Sequence, residues 1–172
     1  MKLLRIFLPL LALISCGSYA PLDVVPHVDL NRYTGRWYEI ASFPQSFQKG
    51  CTCTTAEYLI GQDGIISVLN TCRLEGSEGQ LKTAQGTAFV TDTSSNAKLK
   101  VQFRWPFKGD YWIIDLADDY SYAVVGHPNR DYLWILSRKP TIETPVYLGI
   151  LDRIKAKGFD IARLKITDQK CK

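Results

Sequence analysis

The sequence is poor in the residues that do chemistry. It has two histidines and one methionine among 172 residues. His27 lies in a Pro-flanked stretch near the N-terminus, and His127 precedes Pro128 in a turn-like segment. No Gly-x-Ser-x-Gly elbow, no H-E-x-x-H pair and no Gly-rich phosphate loop occurs, so the usual carriers of acyl transfer, zinc hydrolysis and nucleotide binding are missing. No catalytic residue, metal site or cofactor is predicted. Excess charge of either sign is lacking too. The formal net charge is +4, and removing Lys2 and Arg5 leaves 19 basic residues against 17 acidic ones. That balance, without a basic run, gives no footprint for nucleic acid. The apolar run from Ile6 to Ile14 is too short to cross a bilayer core of about 30 Å.

What is present is an ordinary globular mixture, 46% hydrophobic and 22% charged, of a length suited to one domain. The N-terminal "MKLLRIFLPLLALISC" reads as a secretory leader, two cations followed by an apolar stretch. Its end, Leu13-Ile14-Ser15-Cys16, resembles the bacterial lipobox, in which the cysteine becomes the acylated N-terminus. Gly17 stands where an Asp favours the inner membrane in enterobacterial lipoproteins, so the resemblance implies the outer membrane. The division expected is a leader over residues 1–15, a lipidated tether over 16–28 and a barrel domain over 29–172. The alternative is an ordinary leader cleaved near Ala20, with Cys16 incidental.

Five cysteines are present, at positions 16, 51, 53, 72 and 171. With Cys16 assigned to lipid, four remain in an exported chain, and two disulfides are predicted. A zinc site needs paired short spacings, whereas the chain has one C-x-C and two distant singles. A C-x-C redox pair is a further alternative, though nothing else here resembles an oxidoreductase.

After residue 30 the pattern alternates with period two between turn signals. Strands are predicted near 37–43, 53–60, 65–74, 81–91, 97–105, 110–116, 121–126 and 132–138. The reversals carry Gly, Pro, Asn and Asp, as at Gly61 to Gly64, Glu75 to Ser77, Phe107 to Gly109 and His127 to Asn129. Eight strands with short links predict an all-β fold, an eight-stranded antiparallel up-and-down barrel. Such a barrel has no exposed edge and room for side chains or one small ligand. One C-terminal α-helix is expected to pack outside it, with Thr144 as N-cap, Pro145 in the first turn and Gly158 at the end. A last strand is expected over Leu164 to Thr167.

Tyr33-x-Gly35-x-Trp37-Tyr38-Glu39 resembles the first signature of the lipocalins, and Arg138 matches their third. "YAVVGHPNRDYLWILSRKP", residues 122–140, is similar to the last two barrel strands of bacterial outer-membrane members, and Lys165 to Gln169 echoes their ending. Apolipoprotein D is a more distant likeness. The resemblance covers residues 28–171. One signature departs: Leu116-Ala117-Asp118-Asp119-Tyr120 stands where many lipocalins have Thr-Asp-Tyr, so no receptor contact through that turn carries over. The resemblance implies that Trp37 closes the narrow end with Arg138 over it, and that Gly35 lets the backbone pass without a Cβ clash. By likeness to apolipoprotein D it also implies a Cys53–Cys171 bridge, leaving Cys51 for Cys72. The hairpin count puts Cys72 opposite residue 53 or 54, within reach of either early cysteine.

Alternation places Tyr111, Ile113 and Asp115 on one face. The resemblance adds Ala56, Tyr58, Val68, Asn70, Leu99, Val101, Phe103, Tyr132 and Trp134 to an inward set. That set suits an elongated amphipathic ligand, with Tyr58, Asn70 and Tyr111 able to bond a glycerol or ester oxygen. The plainer alternative is that these rings merely fill a small barrel. Lys100, Arg104 and Lys108 are placed to meet a phosphate or simply to be solvated. The function the resemblance implies is a lipoprotein of the outer membrane with its barrel in the periplasm, monomeric or weakly dimeric. It would bind a fatty acid or lysophospholipid for envelope maintenance. Its rivals are a lipid-modifying enzyme using the same cavity and a structural envelope protein with a filled barrel.

Overall fold

The computed structural model describes residues 20–74 and 79–170. A helical turn, α1 (Leu30–Tyr33), leads into β1 (Gly35–Ser42). There follow β2 (Cys51–Ile60), β3 (Ile66–Leu74), β4 (Leu81–Val90) and β5 (Lys98–Arg104). Then come β6 (Phe107–Leu116), β7 (Tyr122–Gly126), β8 (Leu133–Ser137), α2 (Thr144–Ala156) and β9 (Lys165–Ile166). From β1 to β8 each strand pairs antiparallel with the next, and β1 also pairs with β8, which closes an eight-stranded barrel. The short β9 adds to β1 through Ala41 and Ser42.

Two details differ from the sequence reading. The β5–β6 reversal is Trp105-Pro106, closed by the Arg104↔Phe107 pair and containing a cis Pro peptide. Lys108 and Gly109 lie inside β6, because a proline turn is a stronger reversal signal than an isolated glycine. The cap of α2 is Glu143, not Thr144, so Thr144 and Pro145 are its first two residues. Proline is tolerated there since a first-turn N–H has no helical partner anyway.

The barrel buries two clusters. Inside lie Trp37, Tyr58, Val68, Leu99, Tyr111, Ile113, Val125 and Leu136 among others. Outside β6–β8, under α2, lie Ile114, Val124, Leu133 and Ile135 with Ile150, Ile154 and Phe159. This wall is therefore apolar on both faces, which is why its sequence runs Val124-Val125 and Leu133 to Leu136 without polar alternation. A register shift between Ile113 and Asp115 resets the faces. Asp115 consequently does not point inward with Tyr111. Its carboxylate accepts from Arg153 Nε of α2 at 2.8 Å.

The segment read as a tether is packed where it is described. Leu22 and Val28 are buried, and Val25 N–H donates to Ile113 O at 3.0 Å. Cys16 and the Glu75 to Ser77 turn lie outside the described residues.

Cys51 and Cys72 form a disulfide with Cα atoms 5.5 Å apart. Cys72 faces the irregularity in β2 between Thr52 and Thr55. Cys53 sits in that irregularity with φ +55°. It too is disulfide-bonded, to a partner outside the described residues. Its N–H donates to Asp168 O at 2.7 Å, which holds the C-terminal tail beside it.

One barrel end is sealed by α1. Asp29 caps this turn, accepting from Asn31 N and Arg32 N. Trp37 is fully buried below it and donates from Nε1 to Tyr33 O at 2.8 Å. The Arg138 guanidinium lies 3.7 Å from the Trp37 ring centroid. Its Nη1 donates to Arg36 O at 2.9 Å, and its Nη2 to Arg32 O at 2.6 Å and Tyr33 O at 3.2 Å. Gly35 has φ +87°, and a Cβ there would meet Arg138 Nη1 at an ordinary 3.5 Å. Glycine is needed for the left-handed backbone rather than for clearance. Truncation of the sealed ring, Trp37→Ala, is expected to destabilise the fold by about 3–5 kcal/mol, read as a fall in chemical-denaturation stability without ligand.

Candidate functional site

The opposite end is open. It is formed by the β1–β2, β3–β4, β5–β6 and β7–β8 connections. Exposure on the inner wall changes with depth. Phe103 and Tyr132 near the mouth are 43% and 36% exposed. Ala56, Asn70, Val101 and Trp134 are half-buried. Tyr58, Val68, Leu99, Tyr111 and Ile113 are buried. Phe103 and Tyr132 stand at the rim, and the half-buried Ala56, Asn70, Val101 and Trp134 leave inner-wall surface open toward the mouth, whereas the deep half is packed.

Trp134 and Leu136 share the inner face of β8, and Trp134 Nε1 donates to Gln48 Oε1 at 3.1 Å across the mouth. Tyr132 stacks on Trp134 with centroids 6.0 Å apart. The Phe103 ring packs over Gly86, where a Cβ would come within 2.8 Å of it. Gly86 thus admits an aromatic into the rim, and no turn or strand signal in the sequence points to it.

Between the hollow and the sealed end sit three tyrosines. Tyr33 Oη and Tyr58 Oη lie 2.7 and 2.9 Å from Tyr111 Oη. Burial raises all three above the ordinary phenol value, Tyr58 to about 12 and Tyr33 and Tyr111 well above 10. They are therefore neutral hydrogen-bonding groups, not phenolates. Asn70, one inward step nearer the mouth than Val68, has a buried Oδ1 with no partner. Tyr33 escapes a sequence reading because it precedes the first strand and only α1 folds it inward. Tyr120, in the degenerate "ADDY" turn, accepts from Asp29 N at 2.8 Å and carries Arg32 4.0 Å over its ring.

Of the three hairpin cations, Lys100 pairs with Asp110 at 2.8 Å and Lys108 lies 4.4 Å over Phe89. Arg104 is exposed and has no partner among the described residues. Two surface concavities, of about 550 and 600 Å3, are present, the first between the β1–β2 connection at the open end and β9, the second between β9 and the start of α2. The first includes buried Glu39, whose carboxylate already accepts from Ser42, Gln48 and Thr167. Those bonds pin the β1–β2 connection and the tail, which is a structural role. No group of three or more potential metal ligands occurs among the described residues.

A family model described as "Lipocalin-like domain" matches residues 28–169. The chain belongs to the lipocalin family. It is 41% identical over 154 residues to the "Outer membrane lipoprotein Blc" of Vibrio cholerae, covering 89% of this chain and 90% of that one. It is equally 41% identical over 157 residues to "Temperature-induced lipocalin-1" of Arabidopsis thaliana, covering 86% and 83%. Among solved structures, insecticyanin of the tobacco hornworm Manduca sexta superposes with TM-score 0.71 at 22% identity, covering 88% of this chain and 86% of that chain. That last likeness concerns the fold alone.

The buried phenols of this lipocalin give a pH dependence. Their folded pKa values exceed the unfolded value near 10, so the unfolded chain releases protons first as pH rises. Stability from this source is intact below pH 10 and falls above it, the Tyr58 part being lost between 10 and about 12. Ultraviolet titration is expected to show Tyr33, Tyr58 and Tyr111 ionising only with alkaline unfolding. Their ionisation in the folded protein near pH 10 would contradict this placement.

Proposed function

We propose that this lipocalin reversibly binds a fatty acid or lysophospholipid in its barrel and serves maintenance of the bacterial envelope. The observation that carries this reading is the inner wall, hollow and apolar at the mouth above a sealed floor. An acyl chain placed against the half-buried or exposed Ala56, Val101, Phe103 and Trp134 gains about 0.8 kcal/mol per buried CH2. Tyr58, Asn70 and Tyr111 offer neutral partners for a glycerol or ester oxygen, and Arg104 stands at the mouth for an anionic head group. The binding chemistry needs no bond to break. The likeness to the Vibrio cholerae outer membrane lipoprotein supports an outer-membrane lipoprotein. On this reading residues 1–15 are a leader, Cys16 carries the acyl anchor, Cys53 pairs with Cys171, and the monomeric or weakly dimeric barrel lies in the periplasm.

Lipids extracted from the purified protein and identified by mass spectrometry are expected to be unmodified fatty acids or lysophospholipids. Trp134→Ala is expected to weaken a fluorescent fatty acid by about ten-fold or more while costing less stability than Trp37→Ala, because its ring is only partly enclosed. Normal binding with collapsed stability would make Trp134 plain core. An altered lipid product would favour the enzyme, and no bound lipid with no probe binding would favour a filled barrel. For the anchor, Cys16→Ala is expected to abolish labelling of the protein by a fatty-acid analogue fed to cells; equal label in both forms would refute it.

A further inference from the structure

We propose that the barrel mouth docks on the surface of the bilayer that holds the chain, so that ligand passes between membrane and cavity without crossing bulk water. The inference rests on the acyl anchor at Cys16 proposed above. Its first support is the rim. Phe47, Trp105 and Phe107 are 55%, 83% and 73% exposed; the first two stand on connections at the open end, and Phe107 is the first residue of β6 there. The tip of the β5–β6 hairpin reads Arg104-Trp105-Pro106-Phe107-Lys108, two aromatic rings bracketed by two cations. Trp105 and Phe107, held out in water by a two-residue turn, have no ring or cation partner among the described residues. Tryptophan beside cations is the side-chain chemistry of the membrane–water interface, above all where the lipid is anionic.

The second support is the path of the N-terminal segment. Ala20 O accepts from Arg130 Nη2 at 2.7 Å. Arg130 belongs to the β7–β8 connection, so Ala20 sits at the mouth end. From there the chain runs down the wall, with Val28 N–H donating to Ser95 O in the β4–β5 connection at the sealed end. Cys16 precedes Ala20 by four residues, and four residues span at most about 14 Å. An acyl anchor on Cys16 therefore holds the mouth close to the lipid.

The sealed end carries a rival apolar patch, Leu59, Ile60, Ile65 and Leu69, at the β2–β3 hairpin. Length decides against it. The ten residues of β2 run about 34 Å, or roughly 25 Å of height at the usual barrel tilt. Seating the sealed end on the membrane would lift Ala20 farther from it than the tether reaches.

The test uses the full acylated chain in vesicles of phosphatidylethanolamine and phosphatidylglycerol with brominated acyl chains. Bromine quenches indole emission on contact. Quenching is expected in a Trp112→Phe/Trp134→Phe chain and is expected to vanish when Trp105→Phe is added, since the one remaining indole, Trp37, is buried at the sealed end. The double variant Trp105→Asp/Phe107→Asp is expected to slow transfer of a fluorescent fatty acid into the same vesicles about ten-fold, because it removes both rings and adds two charges that an anionic surface repels. Absent quenching, quenching retained once Trp105→Phe is added, or an unchanged transfer rate would overturn the proposal. Flotation checks the anchor separately. A chain that does not float with the vesicles refutes the anchor and this docking with it; one that floats with Trp105 unquenched refutes the docking alone.

Discussion

The contact between Arg138 and Trp37 holds the barrel's two ends of sequence together. One guanidinium covers the indole and donates to the carbonyls of Arg32, Tyr33 and Arg36. The cation–π part is worth about 0.5–2 kcal/mol. Its larger consequence is topological. Arg138 follows β8 and Trp37 lies in β1, so the contact reinforces the strand pair that turns an open sheet into a barrel. It also fixes α1 by satisfying the Arg32 carbonyl at the helix end. Tyr120 and the Asp118 carbonyl brace the same turn from the β6–β7 connection, the first accepting from Asp29 N and the second from Arg32 Nη2.

Sealing one end permits a hollow at the other. A small domain cannot spare core volume freely, since each void forfeits packing. Here the loss is offset at two places. The deep half of the barrel is filled by aromatic rings. The outer wall of β6–β8 gains a second core beneath α2, including the fully buried Ile150 and Ile154. The Cys51–Cys72 bridge ties β2 to β3 toward the mouth, where interior contacts are fewest. Stability is thus concentrated away from the space a ligand would use.

Much of this was legible in the sequence, for reasons that can be named. Alternation and turn residues located all eight barrel strands, because each strand has one face on the core and turns need particular backbones. The helix was legible from Tyr147, Ile150, Leu151 and Ile154 on one stripe. What was not legible depended on register. The shift after Ile113 turns Asp115 outward to Arg153, and period-two counting does not register an inserted residue. Gly86 makes room for Phe103 from the neighbouring strand, which alternation along its own strand does not reveal. Tyr33 joins Tyr58 and Tyr111 only because α1 folds back over the barrel end. The positive φ at Gly35 likewise belongs to three-dimensional closure, though the glycine itself was visible.

The three tyrosines and Asn70 set a limit on how far packing alone explains the interior. Three phenylalanines would fill similar space without hydroxyls to satisfy. The hydroxyls of Tyr33, Tyr58 and Tyr111 make two hydrogen bonds among themselves, and no other partner is found for them among the described residues. Three hydroxyl protons in two bonds leave one proton without an acceptor, whichever way the bonds run. Asn70 Oδ1 is an acceptor left over on the inner wall nearby. An unmet buried polar group costs about 1–3 kcal/mol, and a chain selected only to fold would lose both at once by exchanging them for apolar side chains.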